Sequence, residues 1–561
     1  MPLGSFDRKE NLDRLSVGTY DVLVVGGGIT GAGVALDAAS RGLRTALVER
    51  DDFASGTSSK SSKLVHGGLR YLQNGDVRLV YEALRERQRL LRNAPHLVKV
   101  LPFLIPVFTG KGGIIPRQVA RALGSAMWMY DLTGGLRIGR VHRRLPRERA
   151  LTHMPTLDER LAWAYLYYDA QADDARLTLT VLRTAALDHG ATVVNHAPVT
   201  GLVTEGGQVR GARVDVDGDE VEVRARVVVN ATGVWSDEVR ALAEGAHPSS
   251  IRPAKGIHIT VPWEKVRNDI AAVLPVRRDR RSIFVVPWPG EDGTIGGPGS
   301  VTYIGTTDTD YDGDLDDPQC TAEDVAYLLE AVNDAITGTL TEHDVLGTWA
   351  GLRPLVSDAT SSRTADLSRR HRVTVSDSGL VTVTGGKLTT YREMAEDTVD
   401  TAVRLLGGRP RGTRRCRTRS LRLRGAEGWE EVAEEDRHLA ERYGGGARGG
   451  RGGAGDDRGR PVARRAARAR PALPAGRGPL RGALRDGDDA RRRPVPPHPG
   501  PAPQPRRDRG GGRRGRRAGR ARARLVGRGS GRAGRRLPGL VRARAAGARP
   551  APARRPGRGL T

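Results

Sequence analysis

Tyr20-Asp-Val-Leu-Val-Val25 runs directly into Gly26-Gly-Gly28-Ile-Thr-Gly31-Ala-Gly33, and a second apolar run, Thr45 to Val48, ends in Glu49. Each part has a physical task. Gly26 permits a tight turn, Gly28 lets backbone N–H groups approach a pyrophosphate, and Gly31 allows close helix–strand packing. The N-terminus of the helix that follows favours negative phosphates. Glu49 is placed to accept hydrogen bonds from ribose hydroxyls. Strand, turn, helix start, second strand and acid occur in order and predict a dinucleotide site, which this fingerprint alone leaves open between NAD and FAD.

The elements that must position this site read as α/β. Short β-branched runs at 22–25, 227–229, 283–286 and 381–384 end in Gly, Asn or Pro, while 76–92 and 321–335 have helical spacing. Among them, Val227-Val-Val-Asn230-Ala-Thr-Gly233-Val-Trp235 is a hydrophobic strand that ends in an Ala-Thr-Gly turn. A late strand of this kind, returning to the nucleotide domain, is typical of flavoproteins with an interrupted FAD domain, and it favours FAD. No internal repeat is evident. Strands stop after about Leu406, and 429–443 reads as one amphipathic helix.

Composition changes sharply beyond that point. The chain has 561 residues, with 92 Lys and Arg, 65 Asp and Glu and a net charge of +27. Residues 446–561 hold 34 Arg and 6 Asp, and from Ala447 onward there is no Lys, Glu, Ile or aromatic residue. Subtracting them leaves 58 basic and 59 acidic residues in 1–445, a net charge of −1. The basic balance therefore belongs to the tail and gives no ground for a nucleic-acid-binding body. Low-complexity Arg, Gly, Pro and Ala lack the apolar side chains that offset chain entropy, so disorder is expected. An arginine-dense tail attracts phosphates without base readout. The favoured reading is an out-of-frame translation of a helical domain: 485–500, RDGDDARRRPVPPHPG, can be written in GC-rich codons that read EMATTLDDVLSRRTRA in a neighbouring frame. Two cysteines, Cys320 and Cys416, exclude a disulfide framework and suit a reducing cytoplasm. Neither a signal peptide nor an apolar run long enough for a spanning helix is expected.

Several longer motifs carry a specific resemblance. With the glycine turn, they are Thr57-Ser-Ser-Lys-Ser-Ser-Lys-Leu-Val-His-Gly-Gly-Leu-Arg-Tyr71, Asp173-Asp-Ala-Arg-Leu177, Ile304-Gly-Thr-Thr-Asp308, Gly351-Leu-Arg-Pro-Leu355 and Gly385-Gly-Lys-Leu-Thr-Thr-Tyr-Arg392. From about Tyr20 to Arg392 the chain resembles the FAD-dependent glycerol-3-phosphate dehydrogenases of the respiratory, aerobic type. The resemblance implies oxidation of sn-glycerol 3-phosphate to dihydroxyacetone phosphate, with electrons passed from FAD to a membrane quinone. It implies a cytoplasmic protein, peripheral on the inner face of the cytoplasmic membrane, with no specific nucleic acid partner and with a homodimer compatible. The expected fold is α/β: a Rossmann-like, glycine-oxidase-like FAD-binding domain over 18–75, 156–236 and 346–405, and an antiparallel-sheet substrate or cap domain over 76–155 and 237–345. A remnant of a truncated or frameshifted C-terminal helical domain is expected over 406–445, followed by the tail 446–561.

Given that substrate, a phosphate dianion calls for fixed cations, and Arg70, Arg353 and Lys387 stand in the shared motifs. Gly68 and Gly351, two residues before the arginines, are expected to allow tight turns beside a flavin. Arg392 is divided between substrate binding and helix stabilisation. Hydride loss from C2 needs a base for the C2 hydroxyl, and His258 is favoured over His66, which is equally readable as a structural flavin contact. Arg353 would hold the oxygen as charge develops, with Tyr71 and Thr307 as further substrate contacts. Ser58, Ser59 and Lys63 are expected near the pyrophosphate, and Gly233, Gly386, Lys387, Leu388 and Thr389 elsewhere along the cofactor. No metal site is expected.

The apolar, proline-broken segment 97–108, flanked by cations, reads as a buried strand of the cap or, less favoured, as a lipid-interface segment. Competing functions are a glycerol-3-phosphate oxidase using O2, an arginine-rich nucleic-acid binder with a vestigial flavin domain, and a nonfunctional product lacking its C-terminal domain.

Overall fold

The computed structural model describes residues 4–68, 76–109, 124–125, 127–132, 139–245, 248–279, 281–356, 370–408, 410 and 412–432. All of these lie within the unit Met1–Leu473. Two sheets dominate the described residues.

The first has eight strands. Its main path runs Arg372–Val375, Val381–Thr384, Asp219–Asn230, Tyr20–Val25, Thr45–Val48, Thr192–Val194. The four neighbouring pairs from Val381–Thr384 to Thr192–Val194 are parallel. Parallel strands buried on both faces read as continuous apolar runs, and every residue of Thr45–Val48 and Val381–Thr384 is buried. The helices Ile29–Arg41 and Tyr391–Leu405 pack closely at Gly33, where a Cβ would stand 2.8 Å from the Tyr391 ring and 3.2 Å from Ala395, and Arg41 reaches the Glu396 carbonyl and Asp400. The helix Ile29–Arg41 ends at Gly42, whose φ of +94° closes it with N–H bonds to Ala38 and Ala39.

The second sheet has ten strands. Its path runs Thr309–Asp310, Ile251–Pro262, Val301–Gly305, Ser282–Trp288, Ala271–Pro275, Val98–Phe108, Leu161–Ala172, Leu64–Val65, with Gly347–Val356 on Ile251–Pro262 and Arg143–Pro146 on Leu161–Ala172. It is antiparallel except where Ala271–Pro275 runs parallel to Val98–Phe108.

Strand membership cuts across the expected domain boundaries. Leu64–Val65, Leu161–Ala172 and Gly347–Val356 fall in stretches expected in the FAD domain, yet they belong to the second sheet. Leu161–Ala172 pairs with Val98–Phe108 along its whole length, and this long-range pairing has no local signature. Conversely, the helix Val77–Asn93, expected with the cap, is tied to Tyr391–Leu405 by Arg85 on Glu393 and Glu86 on Arg392.

The segment 97–108 is a buried strand, not an interfacial one. Leu104 and Phe108 lie in one apolar cluster and Phe103 and Ile105 in another, so both faces are covered and the run is apolar without alternation. Pro102 and Pro106 flank Phe103 and Leu104, the two residues that pair with Ala271–Pro275. No helix among the described residues is long and apolar enough to cross a membrane. Of the expected helix 429–443, Trp429–Glu431 forms a single 3-10 turn and 433–443 lies outside the described residues, as does the tail.

Leu104 is fully enclosed. Leu104→Ala should lower the unfolding free energy by about 2–5 kcal/mol, read by chemical denaturation. A loss under about 0.5 kcal/mol would contradict burial on both faces.

Candidate active site

The glycine turn is held as its residue types require. Gly26 has φ +108°, and its N–H donates to the Val48 carbonyl. A Cβ on Gly31 would stand 1.9 Å from the Gly26 carbonyl oxygen, which enforces the close helix–strand approach. Glu49 accepts from the Gly27 N–H at 2.6 Å through one oxygen and from the Asp51 N–H at 2.9 Å through the other. Burial pushes its carboxyl above the usual range, partly offset by those two bonds. Ser58 Oγ accepts from the Ile29 N–H at 2.9 Å, bringing the 57–59 turn onto the helix N-terminus.

A cavity of about 590 Å³ starts at this turn and extends to the second sheet. Gly26, Gly28, Glu49 and Ser58 line its first part, and Gly233, Gly386, Leu388 and Thr389 line it further along. His66, His258, Arg353 and Lys387 also line it. Gly386 has φ +81°, a left-handed conformation that favours glycine, and a Cβ there would stand 2.3 Å from Met394 Sδ. An elongated cavity with a helix N-terminus and bare backbone on one side suits FAD, whose pyrophosphate needs the former and whose flat ring needs a close wall.

His258 sits in Ile251–Pro262 and is 2% exposed. Its ring stacks on Trp349, with centroids 4.7 Å apart and planes at 11°. Its Nε2 is 2.8 Å from Ser62 Oγ. Burial, then Arg353 and Lys63, push its pKa down to about 3, so the ring is neutral at physiological pH and keeps an acceptor nitrogen. His66 is fixed through its backbone: its N–H donates to Thr389 Oγ1 at 3.1 Å, and that hydroxyl donates back to the His66 carbonyl.

Arg353 lies within a strand, Gly347–Val356, not after a turn. Gly351 serves another purpose, since a Cβ there would stand 2.7 Å from the Lys60 carbonyl oxygen. The guanidinium passes over Gly256, where a Cβ would be 2.5 Å from Nη2. It is aimed by Asp308 at 3.3 Å, Thr306 Oγ1 at 3.2 Å and the Thr307 carbonyl at 3.1 Å.

Other expectations are corrected. Thr307 does not line the cavity; it is buried, and its hydroxyl accepts from the Ile257 N–H. Thr306 lines the cavity instead. Ser59 and Lys63 are not among the lining residues either. Ser59 Oγ turns to the Gly56 carbonyl, and Lys63 Nζ pairs with buried Asp174 at 2.5 Å. Arg392 is buried between Glu86 and Glu396, so of its two readings the helix-anchoring one fits its contacts. Arg70 and Tyr71 lie outside the described residues. Sequence reasoning missed Ser62, Thr306 and Phe284 as lining residues. Ser62 and Thr306 stand inside quoted motifs; Ser61 lines the cavity beside Ser62, whereas only the strand geometry decides that Thr306 and not Thr307 faces inward. No cluster suited to a metal occurs among the described residues.

Residues 21–392 match the family model of the FAD dependent oxidoreductases. The chain belongs to that family and is an FAD-dependent enzyme. Within it, the similarity is to glycerol-3-phosphate dehydrogenases: that of Mycobacterium leprae is 42% identical over 443 residues, covering 78% of this chain and 72% of the relative. The mitochondrial enzyme of Arabidopsis thaliana is 39% identical over 447 residues, covering 76% and 68%. The solved glycerol-3-phosphate dehydrogenase of Bacillus halodurans, complexed with FAD, is 33% identical with a TM-score of 0.60, covering 78% of each chain.

Gly31→Ala should abolish FAD retention, read as loss of flavin absorbance in purified protein; an FAD-replete variant would contradict the packing. The histidine sets a pH dependence. His258 has a folded pKa near 3 against about 6.5 unfolded, so its stabilisation is complete above about pH 6.5 and is lost as pH falls toward 3. In thermal melts between pH 7 and 4, His258→Asn should flatten the acid slope by up to about 1.4 kcal/mol per pH unit. An unchanged slope would contradict a neutral buried ring.

Proposed function

We propose that this chain oxidises sn-glycerol 3-phosphate to dihydroxyacetone phosphate, passing the electrons to a membrane quinone. The observation that carries this reading is the meeting of His258, His66, Arg353 and Lys387 on one cavity with the dinucleotide glycines. The identity to glycerol-3-phosphate dehydrogenases supports the same substrate. FAD, when bound, supplies the two-electron oxidant that accepts hydride.

The chain's own residues do the rest. Gly26, Gly28, Glu49 and Ser58 hold the nucleotide half, and Gly233, Gly386, Leu388 and Thr389 bound the remainder. Lys387 and Arg353 bind the anionic substrate, joined by Arg70 and Tyr71 from the same motif set. Arg353 is preorganised by Asp308 and Thr306, so little reorganisation is needed as charge grows on the C2 oxygen. His258, neutral and enclosed, takes the C2 hydroxyl proton, and His66 shapes the wall beside the flavin. The nucleotide domain is the first, largely parallel sheet with its helices, and the substrate domain is the second sheet. Quinone reduction places the protein peripherally at the inner face of the cytoplasmic membrane, and a homodimer is compatible with that role.

Adding sn-glycerol 3-phosphate to the flavin-loaded protein without oxygen should bleach the flavin absorbance, and Arg353→Met should slow bleaching at least about 100-fold. Failure of the parent protein to bleach would overturn the substrate. Reoxidation by a soluble quinone analogue faster than by O2 is expected; faster peroxide formation would instead establish an oxidase.

A further inference from the structure

Around His258, one nitrogen has a neighbour and the other has none. Nδ1 is buried without a hydrogen-bond partner, whereas Nε2 faces Ser62 Oγ at 2.8 Å. The ring is walled by Trp349 on one face and by Tyr303 at its edge, and the opposing strand position is Gly305, where a Cβ would stand 2.0 Å from the ring. The Gly305 position faces the Cδ2 and Nε2 edge, which a side chain there would fill, and at Nε2 stands Ser62, itself a lining residue of the cavity.

Ser62 is not a loose side chain. Its carbonyl accepts from Tyr303 Oη at 3.0 Å. On one side Ser61 donates to Asp174 through N–H at 3.0 Å and Oγ at 2.6 Å; on the other, Lys63 Nζ reaches the same carboxylate at 2.5 Å. Lys63 has φ +55°, a left-handed conformation that a non-glycine residue adopts only when its surroundings impose it. Asp174 thus clamps the turn that aims Ser62 at Nε2. A hydroxyl fixed on both sides between a cavity and a base has the geometry of a proton relay, because it can receive one proton as it gives up another.

We propose that Ser62 is a catalytic residue that relays the substrate's C2 hydroxyl proton to His258 Nε2, with Asp174 and Lys63 as the positioning pair. This rests on the reading of His258 as base. The O–H bond of C2 breaks and a bond from that proton to Ser62 Oγ forms. The original Ser62 proton moves to Nε2, leaving a neutral serine and an imidazolium. FAD, when bound, would supply the acceptor for the C2 hydrogen and its electron pair as C2=O forms. One proton and one hydride leave the alcohol, so the step balances.

Anaerobic stopped-flow reduction by sn-glycerol 3-phosphate tests this. Ser62→Ala should retain FAD absorbance and the parent's melting temperature, leave the substrate dissociation constant within about threefold, and slow flavin reduction about 100-fold or more. Ser62→Thr, which keeps a hydroxyl, should recover most of the rate. His258→Asn should slow reduction as much, and the double variant no further, because the two act as one unit. In the parent, mixed H2O and D2O should give a curved dependence of rate on deuterium fraction, since two protons move; this reading stands even if Ser62→Ala fails to fold. A linear dependence, or Ser62→Ala within about threefold of the parent, overturns the relay. Should His258→Asn alone slow reduction, the relay fails and the base survives; should neither variant slow it, both fail.

Discussion

Asp174 is a fully buried carboxylate, and leaving one unpaired inside a protein costs several kcal/mol. It is satisfied by Ser61 N–H, Ser61 Oγ, Lys63 Nζ and the Ala175 N–H at the start of the helix Asp174–Arg183. The Ser61 and Lys63 groups lie where the chain leaves the nucleotide half and begins the second sheet at Leu64–Val65. The carboxylate therefore fixes the join between the two sheets, and the cavity is what lies along that join. Residues upstream, at Ser58, meet the helix N-terminus; residues downstream, at Ser62 and His66, meet His258 and Thr389.

Electrostatics in the site follow from this enclosure. Arg353 is held by Asp308, and Lys63 by Asp174, so each cation near His258 carries its own counter-charge. Even so, burial and the two cations keep the imidazole neutral. A neutral base beside fixed cations suits an anionic substrate, because the substrate's charge, on arrival, opposes the field that depresses the histidine.

Much of this was legible in the residues, and the limits are physical. The turn Gly26 to Gly33, the strand Tyr20–Val25 and the acid Glu49 follow from local chemistry: glycines where Cβ atoms would collide, and a carboxylate at a strand end. Both helices with clear spacing, Val77–Asn93 and Ala322–Asn333, lie where that spacing put them. The sheet membership of Leu161–Ala172 and Gly347–Val356 was not legible, because pairing partners lie far along the chain. Neither was the choice between Thr306 and Thr307, nor between Ser59 and Ser62, since neighbouring hydroxyls look alike until backbone direction separates them. Lys63 illustrates the same limit: the resemblance put it near the pyrophosphate, and its contact is Asp174.

The most direct measurement of the central claim is the structure of the FAD-loaded chain with dihydroxyacetone phosphate, which the oxidised enzyme cannot turn over. The phosphate is expected against Lys387 and Arg353, with the C2 oxygen within hydrogen-bond reach of Ser62 Oγ. A ligand bound elsewhere on the chain, or one whose C2 oxygen faces away from Ser62, would contradict this.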